Sequence, residues 1–251
     1  SRVAYSAVLS ERREVAADID AVDVNNELAV VDYVDDMFAF YRNAECESKP
    51  TNYMAIQTEI NPKYRAILVN WIMDVHATFG LTPESLYLTV NIIDRVLSIT
   101  VIKKGELQLL GMGSLLVASK YEEISAPEVG ELVALCDKAY SQSQLLVMEK
   151  MILSSLGWTL TLPTAYMFLV RFVKVSIADK ESEKMAHMLG KIGLLSYEMM
   201  VGYSHSMFAA AAVYLGRCTL GRMPFWTEKL LMQTEYQESE VRECAMTLAK
   251  V

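Results

Sequence analysis

The chain has 251 residues, 53% of them hydrophobic and 22% charged, with a formal net charge of −8. That length holds one large or two small domains, and with 11 glycines and 6 prolines the composition excludes disorder, collagen-like repeats and a loop-rich disulfide scaffold. The acid excess argues against a general nucleic-acid binder, which needs clustered Lys and Arg to neutralise phosphates.

Residues 1–29 are polar and acidic with little periodicity and read as an extended or loosely attached arm. From Val31, the near-helical spacing of Tyr33, Val34, Met37, Phe38, Phe40 and Tyr41 predicts a short amphipathic helix to Asn43. A linker from Glu45 to Asn61 follows, broken at Lys49-Pro50-Thr51-Asn52. Five helices come next. Asn61-Pro62 opens the first as cap and first helical position, and Gly80 stops it; Pro83 to Leu97, Gly105 to Glu123, Pro127 to Ala139 and Ser141 to Leu156 are the others. Leu160-Thr161-Leu162-Pro163-Thr164 marks a domain boundary at residue 160. Five more helical patterns cover Thr164–Val175, Lys180–Met200, Ser204–Leu220, Pro224–Gln233 and Gln237–Lys250. The expected fold is therefore all-α: a short N-terminal helix, then one five-helix unit used twice, over residues 30–160 and 161–251. Ser114 to Lys120 and Phe208 to Tyr214 share a small-residue middle, as a central helix requires.

Catalytic signatures are missing. Cys46, Cys136, Cys218 and Cys244 are widely spaced and read as isolated thiols, and His76, His187 and His205 show no metal-ligand spacing. There is no nucleophile elbow, H-E-x-x-H pair or Walker loop. Gly111-Met112-Gly113 sits in an apolar helical run and reads as a packing notch. The expectation is a protein that is not an enzyme, with no cofactor, metal or membrane partner. The start at Ser1 reads as a trimmed fragment, and the expected setting is intracellular.

Charged residues inside apolar helices are the informative feature. Arg65 interrupts the first helix and Asp94 the second, so the two are expected to form a structural ion pair. Lys120 and Glu149 are either solvated end charges or a polar pair ringed by Tyr121, Met148 and Leu153, the anatomy of a partner-binding patch. Tyr64, Ile67, Leu68 and Trp71 form one stripe, belonging to a central core helix or to a face offered to a partner.

Tyr64-Arg65-Ala66-Ile67-Leu68-Val69-Asn70-Trp71 closely resembles the M-R-A-I-L-V-D-W signature that opens the cyclin box of A- and B-type cyclins. Val90 to Arg95, Gly105 to Leu109, Ala118 to Ile124, Pro127-Glu128-Val129 and Met148-Glu149 extend the resemblance in order. It implies tandem cyclin boxes and a regulatory subunit that binds and activates a cyclin-dependent kinase in mitotic progression, in the nucleus and cytoplasm. The hallmark Arg, Asp, Leu, Lys and Glu fall on Arg65, Asp94, Leu109, Lys120 and Glu149. Lys120 and Glu149 match the positions that bind the kinase, with Tyr121, Ile124, Leu153, Trp158, Leu160 and Tyr33 packing at that interface. A docking patch for Arg-x-Leu motifs of substrates or inhibitors falls on Tyr64, Ile67, Leu68, Trp71, Asp74, Lys104, Leu107 and Gln108. Here Tyr64 replaces Met, Asp74 a longer Glu, and Lys104 an Arg, which predicts altered preference or weaker binding. The alternative is a transcription-factor IIB-like or transcriptional-kinase adaptor on the same double fold.

Overall fold

The computed structural model describes residues 19–136, 139–176 and 178–251, and among these every regular element is helical. Most of the arm, residues 1–18, lies outside the described residues. The α-helices are α1 (Val34–Ser48), α2 (Pro62–Phe79), α3 (Pro83–Ile99), α4 (Leu107–Glu122), α5 (Val129–Ala134), α6 (Gln142–Ser155), α7 (Ala165–Val175), α8 (Lys180–Gly193), α9 (Tyr197–Gly202), α10 (His205–Thr219), α11 (Glu228–Thr234) and α12 (Glu238–Leu248).

Local chemistry sets most of the ends. The Asn61 side chain accepts from Tyr64 N–H at 3.0 Å, Pro62 opens α2, and Gly80 closes it at φ 61°. Ser141 and Gln144 form a reciprocal capping box on α6, as Glu128 and Glu131 do on α5. α4 lies at the centre of the first half, packed by α2, α3 and α6, and α10 plays that part in the second, packed by α7, α8 and α12. Gly111 and Gly113 permit the close approach: a Cβ on Gly111 would stand 2.8 Å from Leu68 Cδ1, and one on Gly113 2.9 Å from Ile152 Cδ1. In α10 the buried run Ala209 to Ala212 does the same.

Four expectations change. The single helix over 180–200 is two, because residues 194–196 tighten into i→i+3 bonds and Ser196 caps α9 by accepting from Met199 N–H at 3.3 Å. Among the described residues of 127–139, the helix is Val129–Ala134. α1 runs on from Asn43 to Ser48, because Glu45 and Ser48, polar and so invisible to periodicity, are buried against the second half. There, Ser48 Oγ donates to Pro163 O at 3.1 Å, and Phe38 meets Phe168 edge-on at 6.0 Å. Nor is the described end of the arm loose. Asp20 is buried and accepts two bonds from Arg171 Nη1 on α7, at 2.7 and 2.8 Å.

Candidate functional site

The first group of residues lies where α4 ends and α6 passes. α4 is buried from Leu109 to Ser119 and then emerges at Lys120. Lys120 Nζ donates to Glu149 Oε1 of α6 at 2.7 Å, with the lysine side chain 47% exposed and the glutamate 14%. An ion pair this exposed contributes little stability, about 0–1 kcal/mol. Large apolar groups open to solvent lie near it in the chain: Tyr121, Ile124, Leu146 and Trp158. Leu153 and Leu160 are half-buried beneath them. Gly157 and Trp158 both adopt left-handed backbone, and the Trp158 N–H donates to Leu153 O at 2.9 Å, so the chain holds an indole outward in a conformation costly for a bulky residue. The Tyr121 hydroxyl is fixed 2.7 Å from Thr161 Oγ1. Met148, expected in the ring, is buried and belongs to the core.

The second group is the α2 stripe. Ile67 is exposed, Tyr64 and Trp71 half-buried, and Asp74 exposed at its far end. Leu68 and Leu107 are core residues, so they form its floor and not its rim, with Gln108 half-buried beside them. Lys104 closes the near end: its Nζ lies 4.1 Å from the Tyr64 ring centroid and donates to the Tyr64 hydroxyl at 2.8 Å. That bond and the ammonium charge pull the Tyr64 phenol below its ordinary pKa.

In the core, Arg65 of α2 and Asp94 of α3 meet in a fully buried two-pronged pair, Nε to Oδ1 and Nη2 to Oδ2, both at 2.7 Å. Periodicity had no means of showing the rest of this cluster. The Tyr53 hydroxyl donates to Asp94 Oδ1 at 2.7 Å, and Arg65 Nη1 reaches Leu194 O and Leu195 O at 2.8 and 3.2 Å. Arg65 thereby ties the first half to the turn that ends α8. Burial opposes its charge, but Asp94 outweighs that and holds the guanidinium pKa above its usual value.

Tyr33 stands apart at the start of α1 and is 61% exposed. Met37 and Phe40, one and two turns on, share its outward side, while Phe38 and Tyr41 turn to the core. The sequence had all five on one amphipathic pattern; the i, i+4, i+7 spacing of Tyr33, Met37 and Phe40 was the signal that separates them. Among the described residues no group of three His, Cys, Asp or Glu could hold a metal ion, and no helix is long and apolar enough to cross a membrane.

Family models for the cyclin N-terminal domain and the cyclin C-terminal domain match residues 36–161 and 163–251. The chain belongs to the cyclin family. This cyclin is 53% identical over 246 residues to a G2/mitotic-specific cyclin-2 of Antirrhinum majus, covering 98% of this chain and 56% of that one. It is 51% identical over 257 residues to Cyclin-B1-2 of Arabidopsis thaliana, covering 99% and 58%. The chain thus spans little more than half the length of the curated relatives it matches. Among solved structures it resembles a viral cyclin from herpesvirus saimiri, with TM-score 0.69, 22% identity, and 80% of this chain and 90% of that one covered. A chain of the yeast RNA Pol II CTD kinase CTDK-1 complex follows at TM-score 0.64 and 12% identity, over 83% and 69%. At those identities the likeness concerns the fold, and it agrees with the all-α, double-box reading.

Proposed function

We propose that this cyclin is the regulatory subunit of a cyclin-dependent protein kinase acting in mitosis, in nucleus and cytoplasm, and that it supplies no catalytic group of its own. The observation that carries the reading is the exposed Lys120–Glu149 pair, 2.7 Å long and set among solvent-exposed Tyr121, Ile124 and Trp158. A weak surface ion pair inside an apolar rim has little use in an isolated molecule; against a partner, both become a desolvated interface core. The relative named a G2/mitotic-specific cyclin supports the mitotic assignment. In the mechanism this implies, the face made by Lys120, Tyr121, Ile124, Glu149, Leu153, Trp158 and Leu160, with Tyr33 on α1, presses the kinase's regulatory helix inward. The kinase's own Glu can then pair with its ATP-binding Lys, as phosphoryl transfer requires. The cyclin acts by shifting that population.

Charge reversal tests the reading. Lys120→Glu with Glu149→Lys keeps the internal pair, so helicity measured by circular dichroism should be unchanged while capture of a cyclin-dependent kinase is lost; retained capture would falsify it. The α2 stripe is proposed to dock leucine-containing Arg-x-Leu segments, leucine between Ile67 and Trp71 and arginine toward Asp74. Lys104 is already engaged by Tyr64, and Asp74 reaches less far than a glutamate, so affinity should be modest. Titration of an Arg-x-Leu peptide should show a loss of about tenfold in Trp71→Ala; equal binding by both forms sinks the docking role.

A further inference from the structure

α1 presents one face to the second cyclin box and another to solvent. The box-facing side carries Phe38, Arg42, Glu45 and Ser48, and the solvent side carries Tyr33, Met37 and Phe40. The Glu45 carboxylate is buried and accepts two bonds at the start of α10, from the Ser206 backbone N–H at 2.8 Å and from Ser206 Oγ at 2.7 Å. A carboxylate from one helix thus supplements the cap of another, where the free N–H groups and the helix dipole favour an anion. Arg42 closes the cluster. Its Nη1 donates to Ser206 Oγ at 3.2 Å, its guanidinium lies 4.5 Å from the centroid of the Tyr236 ring, and the Tyr236 hydroxyl is 2.7 Å from Ser206 Oγ.

This cluster has one geometry. A one-turn slip or a rotation of α1 would leave Glu45 buried without its donors, which is far costlier than sliding an apolar contact. A helix of 15 residues is marginal in water by itself, so its presentation depends on what clamps it. The geometry points to Arg42, Glu45, Ser206 and Tyr236 as positioning residues for kinase binding: a clamp in the second box that sets the register of α1 and thereby aims Tyr33, Met37 and Phe40. This rests on the kinase-binding reading above. It extends that reading to residues turned into the chain, Glu45 and Ser206 buried and Arg42 and Tyr236 half-buried, of which Ser206 and Tyr236 belong to the box without the Lys120 face.

The test is a double-mutant cycle on the affinity of the full chain for a purified cyclin-dependent kinase, with amide exchange of residues 34–48 measured alongside. Glu45→Ala should weaken binding about tenfold, mostly through faster dissociation, and raise exchange in α1 while leaving α3 unchanged. Its effect should vanish in a Met37→Ala, Phe40→Ala background, whose stripe is already lost, and should add fully to that of Lys120→Ala. Glu45→Gln, which keeps a carbonyl oxygen for the Ser206 N–H, should restore most of the affinity. Unchanged affinity in Glu45→Ala overturns the clamp, and so does an effect that adds equally in both backgrounds, which a general loss of folding would give. A wild-type chain that binds no cyclin-dependent kinase overturns the functional reading instead. In either case, α1 exchange that stays at the wild-type level overturns the clamp.

Discussion

The two boxes share a packing frame, and their central helices treat the same problem in opposite ways. Near the C-terminus of α4 the cation is Lys120, 47% exposed and paired at the surface with Glu149. Near the C-terminus of α10 it is Arg217, buried, with Nη1 on Ser176 O at 3.2 Å and Nη2 on Pro224 O at 2.8 Å. Burial depresses the Arg217 pKa, and the carbonyls replace water around its charge. One box encloses its terminal cation and the other leaves it at the surface. The first helices differ as well. Arg65 of α2 finds its aspartate within its own box and reaches across to Leu194 O, whereas Arg171 of α7 receives Asp20 from the N-terminal segment. Equivalent helices therefore need not carry equivalent chemistry.

That contrast can be tested, the largest effect first. Asp94→Ala strips the anion from a fully buried guanidinium and should cost about 3–5 kcal/mol of unfolding free energy in urea; a loss below about 1 kcal/mol would remove Arg65 as the tie between the boxes. Next is pH. Burial lowers the pKa of His76 and His187, and takes that of His205, at the start of α10, down to about 4. The unfolded chain binds these protons near pH 6.5 and the folded chain does not, so the stability they contribute is complete above pH 6.5 and declines as pH falls toward 4. For His205 the full effect is on the order of 3 kcal/mol. His205→Gln should flatten the decline in urea midpoint between pH 7 and 5 more than His76→Gln does; equal slopes would mean the second box is not the acid-sensitive one. Smallest is the comparison of terminal cations. Arg217→Met should cost about 1–3 kcal/mol without changing kinase affinity per folded molecule. Lys120→Met should stay within about 0.5 kcal/mol of wild type and lose kinase affinity. Reversed outcomes would exchange the roles assigned to the two ends.

Residues differed in how far they could be read in advance. Asn61, Pro62, Gly80 and Ser141 announce helix ends because a cap or a left-handed stop is satisfied within three residues along the chain. Ser196 carries the same kind of signal, but the apolar pattern running through Leu194-Leu195 hid it. Leu68 sits on the stripe by spacing and Leu107 enters the patch through the family resemblance, yet both lie too deep to serve as its rim. Glu45 read as linker, because a buried carboxylate makes sense only once Ser206, 161 residues away, is beside it.

By itself the sequence determined the helical class, most of the helix ends and the family signature from Tyr64 to Trp71, since each is written in local spacing and residue type. Only the tertiary structure decided that α1 is clamped by the second box, that Arg65 joins the halves through Leu194 and Leu195, and that Lys120 emerges while Arg217 is enclosed. Those outcomes depend on hydrogen bonds and burial between segments far apart in the chain, where helical periodicity carries no information.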